Sequence, residues 1–149
     1  MIKNEQQYRI SKAQAEKFFQ ALTHTDQQPS EAGAHPLLRK AEREALHSQL
    51  ESLKAEITAY EDLRDGKEQV FISHSFDELP AALIKARIAA GLSQKKLAER
   101  LGLKEQQVQK YEATDYTSAS LERVRAVIRA LGVSVKDEIS LAQHARGGI

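Results

Sequence analysis

Residues 93–112, SQKKLAERLGLKEQQVQKYE, decide the fold. Ser93 offers a hydroxyl to the free amides of a helix start, and QKKLAERL then runs without a breaker to Gly102. A glycine just past a helix adopts the left-handed conformation that closes the last turn, free of the clash a Cβ would bring. Lys104 opens a second helix, EQQVQKYE, with no Ser or Thr to cap it. Leu97, Leu101, Leu103, Val108 and Tyr111 fill the apolar positions, with Ala98 four residues before Gly102 and Val108 six after it. A small side chain at Ala98 permits close approach, so the spacing predicts two short helices crossing at roughly 90–120° about a tight turn. Ala98, Gly102, Val108 and Tyr111 are its structural positions.

The same punctuation continues on both sides. Residues 79–90 form an amphipathic stretch that stops at Gly91, and SLERVRAVIRAL stops at Gly132 after the polar loop ATDYTSA. Every helix stop is a glycine except the one after Glu112, and four helices fall between Leu79 and Val133. Upstream, Ser75, Asp77 and Glu78 place a hydroxyl and two acids where a helix dipole is positive, and Pro80 is tolerated in a first turn. Residues 69–75, QVFISHS, form a short apolar run that reads equally as a strand or an extended linker.

The N-terminal region carries a different pattern. A first helix is expected from near Ser11 to about Thr23, with Ala13, Phe18, Ala21 and Leu22 as a partial stripe, followed by a polar loop, TDQQPSEAGAH, over residues 25–35. Pro36 can open a long helix, since residues 37–65 contain no Gly or Pro and Gly66 ends them. Leu46, Leu50, Leu53, Ile57 and Tyr60 recur at steps of 4, 3, 4 and 3, the a and d spacings of a heptad. Glu51, Lys54, Glu56, Glu61, Asp62 and Arg64 flank them, so the seam is narrow and wants another helix. Its partner is either the first helix of the same chain, as an antiparallel hairpin, or a second molecule; these five residues are the candidate dimer or partner contacts.

Composition limits the function classes. The chain has 149 residues, 41% hydrophobic and 29% charged, with no Cys. Disulfides, thiolate metal sites and cysteine nucleophiles are therefore excluded. No apolar run reaches the roughly 18–20 residues of a membrane helix, and the N-terminus lacks a signal-peptide core, which predicts a cytoplasmic protein without membrane contact. Glu44 and His47 form a lone Glu-x-x-His, and histidines at 24, 35, 47, 74 and 144 give no zinc spacing. No metal, cofactor or catalytic grouping is implied, and no enzyme activity is expected. Net charge is only +1, but residues 84–132 hold ten Lys and Arg against five Asp and Glu, a local +5. Basic charge concentrated on one short segment suits a polyanion.

The array from Leu79 to Val133, and the words GLSQKKLA, LGLKEQQVQKYE and RALGVS in particular, resembles the helix-turn-helix of the Cro/phage-repressor (Xre) family. The resemblance implies a four- to five-helix lambda-repressor-like domain over residues 79–139. With the periodicity upstream this gives an all-α chain, with an N-terminal helical hairpin or coiled-coil region over 1–68, a linker over 69–78 and a flexible tail over 140–149. The resemblance also implies that the second helix of the motif enters the major groove. Its exposed face is then Glu105, Gln106, Gln109 and Lys110, with Gln107 at the margin. Gln can read adenine, Lys guanine and Glu cytosine. Gln94 is expected to bond a phosphate and brace that helix. Lys95, Lys96, Lys104, Thr114, Tyr116, Thr117 and Ser118 are further phosphate candidates, while Lys85 and Arg87 are as well suited to pairing with Glu99 or Glu112.

The expected function is a sequence-specific regulator, a repressor binding double-stranded DNA as a homodimer on a pseudo-palindromic operator. The opening IKNEQQYRISKAQAEKF together with HPLLRKAEREAL also resembles small bacterial regulators of the HigA antitoxin type, which implies a small toxin as a second partner. The rival reading is a protein–protein module that uses the same fold without DNA. If the long-helix seam is not the dimer interface, the segment VSVKDEISLA, as a short strand or helix, is the alternative.

Overall fold

The structure, a computed structural model, describes residues 1–27 and 35–141. The described residues form six α-helices and one 3-10 turn, with no strand. Helix α1 spans Glu5–Gln27, beginning well before Ser11. Asn4 sets that start: its Oδ1 accepts from the Gln7 amide at 2.8 Å, and the Gln7 side chain accepts from the Lys3 amide at 2.8 Å, a reciprocal cap. At the other end α1 runs past Thr23, because Thr23 and Thr25 donate their hydroxyls to the carbonyls of Phe19 and Ala21 and so stay compatible with the helix. The expected loop therefore starts later than Thr25, and its residues 28–34 lie outside the described residues.

Helix α2, Pro36–Arg64, matches the long uninterrupted segment. Its N-cap is His35, whose Nδ1 accepts from the Leu37 amide at 3.3 Å. At 1.5 Å per residue, its 29 residues extend about 43 Å. It packs antiparallel to α1, since the start of α1 meets the end of α2. The Tyr8 and Tyr60 rings lie 5.2 Å apart. The Tyr8 hydroxyl donates to Glu61 at 2.5 Å and the Tyr60 hydroxyl to Glu5 at 3.2 Å. Arg64 lies over the Tyr8 ring and 3.5 Å from Glu5. Leu50 and Tyr60 are buried, and Leu46, Leu53 and Ile57 half-buried, within one chain. The seam thus takes a partner from α1 of the same chain, with Leu46, Leu53 and Ile57 left partly exposed.

Residues 67–73 are irregular rather than a strand, with Phe71 turned onto the core and Val70 and Ile72 exposed. A 3-10 turn at Phe76–Glu78 leads into α3, Leu79–Ala89, with Pro80 in the first turn as the sequence predicts. Helices α4, Gln94–Leu101, α5, Glu105–Ala113, and α6, Leu121–Leu131, complete the C-terminal half. Ser93 caps α4 and Ser120 caps α6, each accepting an amide at 3.1 Å. The core is built on Leu83, Ile84, Ile88, Leu97, Val108, Val127 and Leu131. Ile2, Tyr8, Tyr60 and Leu63 belong to the same cluster, so one core runs through both halves. Residues 133–141 are neither strand nor helix, and most of the expected tail, 142–149, lies outside the described residues. Among the described residues, no helix is long and apolar enough to cross a membrane.

Candidate nucleic-acid interface

The turn between α4 and α5 has the geometry its spacing dictates. Gly102 has φ +68° and a left-handed conformation, and its amide and that of Leu103 close onto the carbonyls of Glu99 and Ala98 at 3.2 and 2.9 Å. Ala98 and Val108 are each 1% exposed, so the small residue lies under the crossing and Val108 anchors α5 against it. Tyr111, half-buried, stacks on Tyr116 with centroids 5.9 Å apart. The uncapped start of α5 has its own solution. Lys104 has no acceptor to offer, but the Gln107 side chain reaches back and accepts from the Lys104 amide at 3.3 Å. Gln107 is therefore committed to holding the helix start.

The opposite face of α5 is open. Glu105, Gln106, Gln109 and Lys110 are exposed, with Gln109 donating to Glu105 at 3.4 Å along the helix. Lys95, Lys104 and Lys110 carry no ion pair among the described residues, whereas Lys96 pairs with Glu99 at 3.1 Å. That surface pair contributes about 0–1 kcal/mol. In the following loop, Thr114 bonds the Lys110 carbonyl and the Ser118 hydroxyl, and Thr117 bonds the Thr114 carbonyl. Thr117 and Ser118 are exposed and Thr114 half-buried.

Two phosphate candidates are placed elsewhere by their burial. Tyr116 is 5% exposed under the Tyr111 ring, its hydroxyl pushed well above the usual tyrosine range by burial and by the nearby Glu112 charge. It belongs to the core, because its φ of +59° turns the loop back and tucks the ring inward. Gln94 is also 5% exposed and points inward. Its Nε2 donates to Glu112 Oε2 at 2.7 Å and its Oε1 accepts from Asn4 at 3.1 Å. It braces α5, with both ends of its amide engaged.

Behind α5 lies a buried polar hub. Arg87 and Glu112 are 2% and 0% exposed. Arg87 Nε and Nη2 donate to the two Glu112 carboxylate oxygens at 2.5 and 2.9 Å, a bidentate pair that fixes α5 to α3. The remaining guanidinium donors reach the Leu92 carbonyl at 2.7 Å and the Lys3 carbonyl at 2.5 Å. Of the two partners the sequence offered Arg87, Glu112 is the one used. Desolvating two charges is costly, and only this complete set of hydrogen bonds offsets it.

Residues 83–137 match the helix-turn-helix family model. Over that stretch, a little over a third of the chain, the sequence is similar to this family. No curated protein and no solved structure matches the chain. The match begins within α3 and ends beyond α6, so the hairpin lies outside it. Lys3 and Asn4 are the residues the sequence reading missed: both reach the hub of the helix-turn-helix domain from the other end of the chain. Part of the signal was legible, since Asn4 and Gln7 have the spacing of a helix-start cap.

Proposed function

We propose that the chain is a sequence-specific DNA-binding transcriptional repressor, acting as a homodimer on a pseudo-palindromic operator with half-sites about one duplex turn apart. The observation that carries this reading is the asymmetry of α5. Val108 and Glu112 are buried and hold it from behind, while Glu105, Gln106, Gln109 and Lys110 face outward with side chains suited to base edges. Lys95, Lys96 and Lys104 flank that face as phosphate contacts, joined by Thr114, Thr117 and Ser118. Phosphate contacts set register, and base contacts set sequence preference.

A single module reads too few bases to select an operator among many competing sites, so a second copy is required. The segment 133–141 supports its placement. Ile139 is 95% exposed and, with Val70 and Phe76, lines an open cleft of about 950 Å³ beside α3, near which Ile72 and Leu141 are also exposed. An apolar surface of this kind is what a partner chain covers. On the hairpin, Ile10, Phe19, Leu37 and Leu38 are exposed, and we read them as the docking surface for a small toxin neutralised by this protein. The same exposed residues favour the second reading, a protein–protein module that does not use DNA.

Duplex binding with a salt titration separates the two. Gln106→Ala is expected to cost about 1–3 kcal/mol at the preferred site and to relax the preference there, whereas Lys95→Ala weakens all sequences alike and lowers the salt slope by about one. Unchanged binding after replacing both Gln106 and Lys110 removes them from the reading face.

A further inference from the structure

The four residues ahead of α1 are not a loose end. Ile2 is buried in the core shared by the hairpin and the helix-turn-helix domain. Lys3 Nζ donates to the Glu112 carbonyl at 2.5 Å and lies 3.4 Å from Asp115, placing an ammonium at the C-terminal end of α5 where the helix dipole is negative. The Lys3 carbonyl takes one Arg87 donor, and the Asn4 side-chain amide donates to Gln94. Each member of the hub behind α5 is therefore touched by residue 3 or 4.

From this geometry we propose that Lys3 and Asn4 are positioning residues for the reading helix, so that α5 presents its outer face in the right orientation only when the N-terminal segment is docked. The proposal rests on the DNA-binding reading for its functional consequence. Its structural content is independent of that reading. Asn4 determines which way the Gln94 amide faces: by donating to Oε1 it leaves Nε2 aimed at Glu112. Without Asn4 the buried Oε1 has no donor, and a buried acceptor left unpaired is strongly disfavoured. Lys3 acts at the other end, holding the last turn of α5 through Glu112 and the following loop through Asp115. Base readout tolerates displacements of only about half an ångström, so small shifts of α5 are expected to reach the DNA. The cleft where Glu5, Gln6 and Arg64 face Glu105 and Gln109, about 300 Å³, sets the hairpin base directly beside the reading face. A partner that moves the start of α1 thereby moves the reading helix.

The test uses the full chain with Lys3→Met, Asn4→Ser and both together. Serine retains the acceptor that caps α1 but is too short to donate to Gln94, and Met retains the stem of Lys3 without its charge. Amide hydrogen exchange of Gln109–Glu112 is expected to accelerate about tenfold in the double variant, and affinity for a selected duplex to fall at least tenfold with an unchanged salt slope. Lys3→Arg alone, which keeps the charge beside Asp115 and the end of α5, is expected to leave both near the wild type. Unaltered exchange in α5 overturns the proposal whether or not the chain binds DNA. A salt slope lowered by about one on Lys3→Met also overturns it, because Lys3 is then a phosphate contact rather than a positioning residue. Accelerated exchange in a chain that selects no duplex supports the clamp and removes the DNA reading alone. Should the double variant fail to fold, Lys3→Met decides the matter by the same two readouts.

Discussion

The two halves of the molecule are both helical, yet they are organised by different physics. The helix-turn-helix half packs short helices whose ends are stated residue by residue, Ser93 and Ser120 at the starts and Gly102 and Gly132 at the stops, around a dense apolar core and one buried ion pair. The hairpin has two long helices with narrow seams, joined at its base by tyrosine–carboxylate hydrogen bonds. Chain reversals are encoded locally in the first half, and contacts between distant segments hold the second. A defect should therefore cost most at the hub, less at the crossing of α4 and α5, and least at the hairpin base.

The largest effect is expected for Glu112→Ala. It leaves the buried Arg87 guanidinium without its carboxylate and Gln94 without an acceptor. Breaking one partner of a buried pair costs about 3–5 kcal/mol, readable in a urea titration. A loss no greater than that of an exposed pair such as Lys96–Glu99 would remove the hub's precedence over the hairpin base. Ala98→Leu comes next. It adds bulk where two helices touch at a residue 1% exposed, and a destabilisation of about 1–3 kcal/mol is expected in the same titration.

The smallest effect is a pH dependence at the hairpin base. Burial, and then the charge of Glu5, push the Tyr60 hydroxyl up from the usual 10.0 to about 12. A folded-state value above the unfolded one means that the protonated tyrosine stabilises the fold; the contribution is complete below about pH 10 and is lost as pH rises through about 12. Thermal melts between these limits should show that loss in the wild type and less of it in Tyr60→Phe. Identical profiles would take Tyr60 out of the junction.

The same contrast governs what could be read from the sequence. The boundaries of α4, the left-handed Gly102 and the burial of Ala98 and Val108 were legible because a cap, a glycine and a small residue each act within a few positions. Arg87–Glu112 was legible as an alternative, since the basic residue on α3 had two acids to choose from. The true start of α1 is hard to see in the sequence because apolar periodicity begins at Ala13, while the helix begins where Asn4 accepts from the Gln7 amide and the Gln7 side chain accepts from the Lys3 amide. The sequence does not name the partner of the Leu46 to Tyr60 seam, because a heptad states that a helix is needed and not which one. Position in the motif and in the loop after it suits Gln94 and Tyr116 to phosphate, whereas their burial depends on Asn4 and on the positive-φ loop at Asp115 and Tyr116, neither of which the motif contains.

Selection from a pool of random duplexes with the full chain decides whether α5 reads a DNA sequence. The expected result is enrichment of a pseudo-palindrome with half-sites about one turn apart, whose preference relaxes at one symmetric position when Gln106 is replaced by alanine. A pool that emerges without sequence preference would contradict it and assign the helix-turn-helix domain to a protein partner instead.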